Sequence, residues 1–179
     1  MTTPEHYMPG PANLAQVQKD GEHWTLVLVR QLRHSPDKVW RALTDPAQLR
    51  EWAPFDADGN LSVAGSTVRL SSVGMSPATV SDNIVKVADE PNVLEYSWGG
   101  GNLRWELEDF GGGTRLTLWH HIDRRYIAMG AAGWHICLDV MDHSLSGTPL
   151  GRIVGLQAMN FEGWQRLNAD YARQFGTGV

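Results

Sequence analysis

The sequence predicts an α+β protein in which a curved antiparallel sheet of six to seven strands wraps around a long C-terminal helix. In the middle of the chain, short segments of alternating apolar and polar residues are separated by glycine-rich turns, which is typical of an antiparallel meander. Residues 127–145 then carry apolar side chains at helical spacing for about five turns. A chain of 179 residues with 42% apolar residues is long enough to form one domain with an internal cavity.

The N-terminal third predicts an arm, a strand and two short helices. Residues 1–20 show no periodicity and predict a flexible arm, which could lie on the body of the protein. Residues 23–32 alternate and predict a strand with both faces partly covered. A Ser-Pro pair at 35–36 predicts a helix start, because serine can cap the first turn and proline is tolerated in it. An Asp-Pro pair at 45–46 ends this helix, and a second short helix is expected to run to about Trp52.

The rest of the chain predicts the sheet and the helices that cover it. Further strands are expected at residues 67–71, 79–88, 93–98, 103–109 and 114–122. Their alternation is one-sided, so one face of the sheet is expected to be solvated and the other to be covered by the long helix. Residues 21–147 are therefore expected to form one domain, with a loop and a second amphipathic helix in residues 148–179 packed on it. The resemblance described below implies that this domain, 21–147, binds a ligand. That last helix, or the partner in a homodimer, is expected to cover a second apolar patch on the long helix at Met129, Ile136 and Val140.

Composition and charge exclude several classes of partner. The 15 Lys and Arg residues against 20 Asp and Glu residues give a net charge of −5, which argues against nucleic acid as the main partner. The single cysteine, Cys137, rules out an intrachain disulfide and a cysteine-rich zinc site. The first 20 residues lack the pattern of a signal peptide, and the longest uncharged apolar run, 127–134, is too short to span a membrane. We therefore expect a cytoplasmic protein.

The covered face of the sheet and the apolar face of the long helix are expected to enclose a pocket for a flat or lipid-like ligand. The expected ligand-binding residues are Trp98, Trp105, Leu118 and His120 from the sheet, Trp134, Leu138 and Met141 from the helix, and Phe55 and Met75 in loops at the mouth. Periodicity fits a solidly packed core equally well, because core side chains and pocket-lining side chains follow the same pattern.

Five polar or reactive side chains are candidates for chemistry. His120 is in phase with the apolar face and could orient a ligand oxygen or act as a general base, or else be a hydrogen-bonded core histidine. Arg30, which is in phase with apolar residues of its strand, is a second candidate for orienting a ligand. His135 and Asp139 have a spacing that can hold a metal, but their helix face is expected to lie in water, so we expect no metal site. Cys137 is expected to be a buried thiol, and the glycine-rich turns lack the features of phosphate loops, so we expect no cofactor.

Three segments carry a resemblance to a known protein superfamily. The segment RQLRHSPDKVWRALTDPAQLREW resembles the opening signature of the helix-grip superfamily, which includes the START domains, the birch-pollen allergen fold and the polyketide cyclases. The segments GGGTRLTLWHHID and AAGWHICLDVMDHSLSG are similar to those of bacterial proteins related to the C-terminal domain of the activator of the ninety-kilodalton heat-shock protein ATPase. The resemblance covers about residues 24–147 and implies a helix-grip fold, in which a cavity lies between the sheet and the long helix.

The pattern and the resemblance together lead to three functional hypotheses. The first is binding of a hydrophobic small molecule, such as a lipid, a polyketide or an aromatic metabolite, without a cofactor. The second, which we rank lower, is an enzyme of the cyclase or hydratase type that uses His120 as a general base. The third is a co-chaperone-like module of a stress response that acts on a heat-shock ATPase, and it rests on the resemblance alone.

Overall fold

A computed structural model describes residues 6–177 of the chain. The strands are β1 (Ala15–Asp20), β2 (His23–Leu32), β3 (Phe55–Ala57), β4 (Thr67–Ser72), β5 (Val80–Asp89), β6 (Val93–Trp98), β7 (Gly101–Phe110) and β8 (Gly113–His121). The helices are α1 (Pro36–Thr44), α2 (Pro46–Leu49), α3 (Ile127–Leu145), α4 (Gly155–Met159) and α5 (Glu162–Phe175), and a single 3-10 turn at Arg124–Tyr126 precedes α3. The expected strands and helices are all present, with ends that differ by only a few residues. Between residues 6 and 177, no helix combines the length and the apolar character that crossing a membrane requires.

The strands form one antiparallel sheet of eight strands in the order β1-β2-β8-β7-β6-β5-β4-β3. The expected α+β class is confirmed, but the expected count of six to seven strands is wrong. The two strands that the pattern missed are β1 and β3, which form the two edges of the sheet. β1 is mostly polar and β3 has only three residues, so neither carries enough apolar alternation to be recognised.

From residue 6 on, the N-terminal segment lies on the domain, a placement that the sequence leaves open for the arm. Residues 15–20 pair with residues 23–28 of β2. Earlier in the segment, the backbone carbonyl oxygens of Pro9 (2.5 Å) and Gly10 (3.0 Å) accept hydrogen bonds from the Arg166 side chain of α5. The first five residues of the expected arm lie outside the described residues.

Side-chain caps set the starts of the first two helices, as the sequence predicts. The Ser35 Oγ accepts a hydrogen bond from the backbone N–H of Lys38 (3.3 Å) at the start of α1. The Asp45 carboxylate accepts a hydrogen bond from the backbone N–H of Ala47 (2.9 Å) at the start of α2. The two helices therefore form a compact corner that carries the chain from β2 to β3, at the far end of the sheet.

The main core lies between the sheet and α3. The stripe of α3 that the sequence predicts as apolar consists of Ile127, Ala131, Trp134, Leu138, Met141 and Leu145. The first five are at most 3% exposed, and Leu145, at the end of the helix, is partly buried. The sheet contributes the buried alternate residues of β2, β7 and β8. Burying one large apolar side chain contributes about 1.5–3 kcal/mol, so this layer is a major source of stability.

The last helix covers another side of α3 within the same chain. α5 packs along α3 and buries the side chains of Leu167 and Tyr171 completely. Ile136 and Val140, which the sequence predicts as part of a second apolar patch, are at most 1% exposed. The patch that suggested a homodimer is therefore largely buried by the chain itself.

A buried arginine fastens the segment after α3 to the far end of the sheet. The Arg152 guanidinium donates hydrogen bonds to the backbone carbonyl oxygens of Leu49 (3.1 Å), Ala53 (2.8 Å) and Phe55 (3.0 Å). It also pairs with the carboxylate of Asp56 at 2.8 Å. A guanidinium can serve several acceptors at once because its donors form a rigid fork. This anchor holds the following segment, including α4, beside the sheet.

Candidate ligand-binding site

An apolar cavity of about 320 Å³, the inner cavity, lies between α3, the C-terminal segment and the ends of β6 and β8. Its lining residues are Pro54, Met75, Trp98, His120, Ile122, Tyr126, Met129, Gly130, Gly133, Trp134, Cys137, Ile153, Val154, Gly155, Ala158, Met159 and Trp164. Ligand pockets in proteins have volumes of about 300–1,000 Å³ and are mainly apolar with a few placed polar groups. The inner cavity has both properties.

Four of the nine expected ligand-binding residues line the inner cavity, namely Met75, Trp98, His120 and Trp134. The other five are Phe55, Trp105, Leu118, Leu138 and Met141, each at most 1% exposed and part of the packed core. Phe55 lies in β3 rather than in a loop, and its ring packs against Tyr96 and Trp98. Alternation identifies which side chains are buried, but a buried side chain lines a cavity only where its neighbours leave space.

The inner cavity follows a line of small residues on α3. Gly130, Gly133 and Cys137 line it at helical spacing, whereas larger residues of the same helix such as Leu138 and Met141 fill the core. A Cβ atom at Gly133 would have no other atom within 4 Å, so the space beside this residue is open. A glycine inside a helix is less favourable than alanine by about 0.5–1 kcal/mol. Gly133 is therefore the sequence signal for this cavity, and attention to large apolar residues alone overlooks it. Gly130 differs, because a Cβ atom there would lie 2.9 Å from the Ile122 side chain.

Aromatic rings form one wall of the inner cavity. The ring centre of Trp98 lies 5.8 Å from that of Trp134, 5.6 Å from that of His120 and 5.1 Å from that of Phe55. Behind this wall, the Trp105 ring meets the Trp134 ring edge-on at 5.5 Å. Since each ring packs against several others, the wall is rigid and presents a flat apolar surface.

A histidine in this wall, His120, presents a hydrogen-bond donor to the ligand space. The Trp134 indole N–H donates a hydrogen bond to Nδ1 of His120 (3.0 Å). Because an indole N–H can only donate, Nδ1 carries a lone pair and the neutral ring carries its proton on Nε2. Burial, with a smaller contribution from His121, lowers the pKa of His120 to about 4. At neutral pH, His120 is therefore an uncharged N–H donor, and no group within residues 6–177 accepts that hydrogen bond.

A second cavity of about 460 Å³, the polar cavity, adjoins the inner cavity. The two cavities share the lining residues Trp98, His120, Ile122 and Tyr126. The other lining residues of the polar cavity are Ser72, Thr79, Ser81, Gly99, Gly100, Gly101, His121 and Asp123. Nε2 of His120 is directed to this side, because it lies 3.7 Å from the position that a Cβ atom at Gly101 would take. The donor thus stands where an apolar and a polar compartment meet.

His135 and Asp139, which the sequence predicts to face water, are buried instead. They are 2% and 8% exposed because α5 and the N-terminal residues cover this side of α3. The Asp139 carboxylate pairs with Arg30 (2.5 Å) and accepts a hydrogen bond from the Tyr7 hydroxyl (2.5 Å). His135 Nδ1 is hydrogen-bonded to the Tyr171 hydroxyl (2.8 Å), and burial lowers the pKa of His135 to about 4. Arg30 therefore neutralises Asp139 and does not line the inner cavity, where the sequence made it a candidate for orienting a ligand.

In the part of the chain that the structure describes, the potential metal ligands are dispersed and the cysteine is buried. No three side chains of His, Cys, Asp or Glu within residues 6–177 are grouped so that they could hold a metal ion. Cys137 is a buried free thiol, as expected, and burial raises its pKa to about 12. The thiol therefore stays protonated at neutral pH and is a poor nucleophile, so it acts as an apolar part of the cavity wall.

The region that forms most of this site matches a known protein family. Residues 33–146, more than half of the chain, match the family described as Activator of Hsp90 ATPase homolog 1-like protein, AHSA1. The chain belongs to the AHSA1 family. This family is part of the SRPBCC superfamily, which has the helix-grip fold, so the resemblance predicted from the sequence motifs is confirmed.

Solved structures are similar to this AHSA1-family chain over most of its length. It is 18% identical to CalU16 from Micromonospora echinospora, with a TM-score of 0.63 and coverage of 90% of this chain and 92% of CalU16. It is 25% identical to MLL2253 from Mesorhizobium loti, with a TM-score of 0.62 and coverage of 70% and 99%. It is 20% identical to DynU16, a protein in the dynemicin biosynthetic locus, with a TM-score of 0.62 and coverage of 73% and 50%. These likenesses support the helix-grip fold, and no curated protein matches the chain in sequence.

The region that matches the AHSA1 family ends before the segment that closes the inner cavity. Ile153, Val154, Ala158, Met159 and Trp164 line the cavity and all follow the last matched residue. One wall of the cavity is therefore built by the C-terminal segment that lies outside the family match. The shape of the inner cavity consequently depends on residues that the family match does not cover.

Proposed function

We propose that this AHSA1-family protein binds a hydrophobic small molecule with a flat aromatic or polyketide-like part in the inner cavity. The observation that carries the proposal is an apolar cavity of about 320 Å³ whose aromatic wall includes an uncharged donor, Nε2 of His120. Removing apolar ligand surface from water contributes about 25 cal/mol per Å². A ligand oxygen bonded to Nε2 would fix the orientation of the ligand in an otherwise apolar site.

The rigid aromatic wall favours an aromatic ligand over a flexible lipid chain. The rings of Trp98 and Trp134 are held by their neighbours, so they offer flat surface without losing much conformational freedom when a ligand binds. The likeness to DynU16, a protein in the dynemicin biosynthetic locus, is consistent with a small molecule of biosynthetic origin. A rigid planar ligand also loses less entropy on binding than an alkyl chain does.

The arrangement around His120 favours ligand orientation over general-base catalysis. A general base needs a free lone pair within hydrogen-bond reach of the proton that it abstracts. In His120, the hydrogen bond from Trp134 occupies the lone pair of Nδ1, and Nε2 carries the proton. The lowered pKa of about 4 further weakens the ring as a base at neutral pH. A cyclase or hydratase reaction that begins with proton abstraction by His120 is therefore the less favoured hypothesis.

The variant Gly133→Leu tests the inner cavity directly. Its side chain would extend into the open space beside Gly133 and fill the cavity. We expect calorimetric titration to show that wild-type protein binds 1-naphthol and that the variant does not. Leucine has a higher helix propensity than glycine, so the variant is expected to be as stable as wild type or more stable by up to about 1 kcal/mol.

The variant Gly133→Ala is the matched control, because one methyl group leaves most of the cavity open. We expect it to keep 1-naphthol binding while gaining a similar helix propensity. Native mass spectrometry of freshly purified wild-type protein adds an independent measurement, since a co-purifying molecule would show the natural ligand. Equal binding by wild type and Gly133→Leu would overturn the proposed site.

The description of the AHSA1 family favours one alternative function, an interaction with a heat-shock ATPase. Such an interaction would use the protein surface and would not depend on the inner cavity. Stimulation of ATP hydrolysis to the same extent by wild type and Gly133→Leu, with no 1-naphthol binding by either, would support this alternative in place of ligand binding.

A further inference from the structure

We propose that the polar cavity is a second subsite for the same ligand and takes an uncharged, hydroxyl-rich substituent such as a sugar. The inference rests on the proposed function, because the substituent is attached to the aromatic part that occupies the inner cavity. It narrows the ligand class to aromatic glycosides and similar polyhydroxylated conjugates.

The two cavities meet at the hydrogen-bond donor. Nε2 of His120 lies beside Gly101, and a Cβ atom at Gly101 would stand 3.7 Å from Nε2 and 2.8 Å from the backbone carbonyl oxygen of His121. A side chain at Gly101 would therefore crowd the donor and narrow the junction. An oxygen bonded to Nε2 would lie between the apolar part and the polar part of a ligand, which is the position of the linking oxygen in a glycoside.

Two serine hydroxyls in the polar cavity are held in place by the protein. Ser72 Oγ accepts a hydrogen bond from the backbone N–H of Thr79 (2.7 Å), and Ser81 Oγ accepts one from the side-chain amide of Asn83 (2.9 Å). Asn83 is 3% exposed and also donates to the backbone carbonyl oxygen of Ser81, so its position is fixed. Each serine oxygen thus uses a lone pair within the protein and keeps its O–H for a ligand. Two fixed hydroxyl donors suit a group that carries several acceptor oxygens.

The charges around the polar cavity favour an uncharged substituent. The Asp123 carboxylate accepts hydrogen bonds from the backbone N–H and the guanidinium of Arg125 at 2.8–3.1 Å, so its charge is already compensated. Within residues 6–177, neither Lys nor Arg lines this cavity. A charged ligand group would lose hydration there without gaining a counter-charge, whereas hydroxyl groups can exchange hydrogen bonds with water for hydrogen bonds with the protein.

Calorimetric titrations of the full chain with 1-naphthol and 1-naphthyl β-D-glucopyranoside test the subsite. We expect wild type to bind the glucoside about tenfold more tightly than 1-naphthol, because the glucosyl group adds hydrogen bonds in the polar cavity. The double variant Ser72→Ala/Ser81→Ala removes both fixed donors and is expected to lower the affinity for the glucoside roughly tenfold while leaving that for 1-naphthol within about twofold. Ser71→Ala is the matched control, since the side chain of Ser71 points to the opposite face of β4 and should leave both affinities unchanged.

The two probes separate failure of the subsite from failure of the proposed function. The polar subsite is overturned if wild type binds 1-naphthol but excludes the glucoside. It is also overturned if the double variant binds the glucoside as tightly as wild type does. In both cases the inner cavity remains a binding site. If wild type binds neither probe, the proposed function itself fails. The comparison of the two probes on wild-type protein needs no variant, so it decides the question even if the double variant does not fold.

Discussion

At the residue scale, one hydrogen bond determines what His120 can do. The indole N–H of Trp134 occupies Nδ1, so the imidazole is a neutral donor through Nε2 rather than a base. The two residues lie on β8 and α3, and contact between them depends on how the helix packs across the sheet. Local sequence patterns place both on buried faces but contain nothing that pairs them.

Replacing Trp134 by Phe is expected to raise the pKa of His120. The hydrogen bond from Trp134 stabilises the neutral imidazole, and its loss should raise that pKa from about 4 by roughly one unit, equivalent to about 1.4 kcal/mol. Titration of the histidine C–H signals by NMR measures the change. Trp105→Phe is the control, because the Trp105 indole N–H donates to the Tyr96 hydroxyl instead (3.3 Å). An unchanged His120 pKa in Trp134→Phe would contradict the assigned tautomer.

At the scale of elements, α3 carries two different stripes. Large apolar residues such as Leu138 and Met141 fill the space against the sheet, whereas Gly133, which lines the inner cavity, has open space beside it. Close packing elsewhere in the protein allows such a cavity to persist, because the surrounding elements are held by their own contacts and collapse only partly. A helix can therefore stabilise the fold with one face and form a binding site with the next.

The C-terminal segment completes the inner cavity, and Arg152 holds that segment in place. We expect Arg152→Leu to remove the side-chain hydrogen bonds to the buried carbonyl oxygens of Ala53 and Phe55 and to destabilise the protein by roughly 2–4 kcal/mol. The Leu49 carbonyl oxygen would keep its hydrogen bonds from the backbone N–H groups of Trp52 and Ala53. Hydrogen exchange should show loss of protection in residues 153–160 with the sheet still protected, and the affinity for 1-naphthol should fall.

Arg173→Leu provides the matched control for this prediction. Arg173 pairs with Asp170 on α5, but its side chain is 71% exposed. Exposed ion pairs contribute about 0–1 kcal/mol, so this variant should keep the exchange pattern, the 1-naphthol affinity and nearly the full stability of wild type. Loss of binding in both arginine variants would argue against a specific role for the Arg152 anchor.

At the scale of the whole molecule, folding buries two uncharged histidines, His120 and His135. Their pKa is about 4 in the folded protein, whereas a histidine in the unfolded chain has a pKa of about 6.5. Between these values the unfolded chain binds more protons, so the free energy of unfolding decreases as the pH falls from about 6.5 towards 4. Within this range, each histidine lowers the free energy of unfolding by up to about 1.4 kcal/mol for every unit by which the pH falls. Above about pH 6.5 this loss is absent and the full stability is present.

Urea unfolding at pH 7, 6 and 5 measures this dependence. We expect the free energy of unfolding of the wild-type protein to fall across the series. His120→Gln and His135→Gln are each expected to make this decrease with pH smaller, by the contribution of the one histidine that is replaced. A stability that stays constant between pH 7 and 5 would show that the two histidines are not buried in the neutral form.

Six of the strands in their order, the helix caps at Ser35 and Asp45 and the buried stripe of α3 can be predicted from the amino-acid sequence alone. These features depend on interactions within one element or on the alternation of its faces, so local patterns contain them. The tertiary structure alone decided that β1 and β3 complete the sheet, that His135 and Asp139 are buried, and that the small residues of α3 line the cavity. Those features depend on what packs against an element from distant parts of the chain, because a cavity exists only where several elements together leave a volume unfilled.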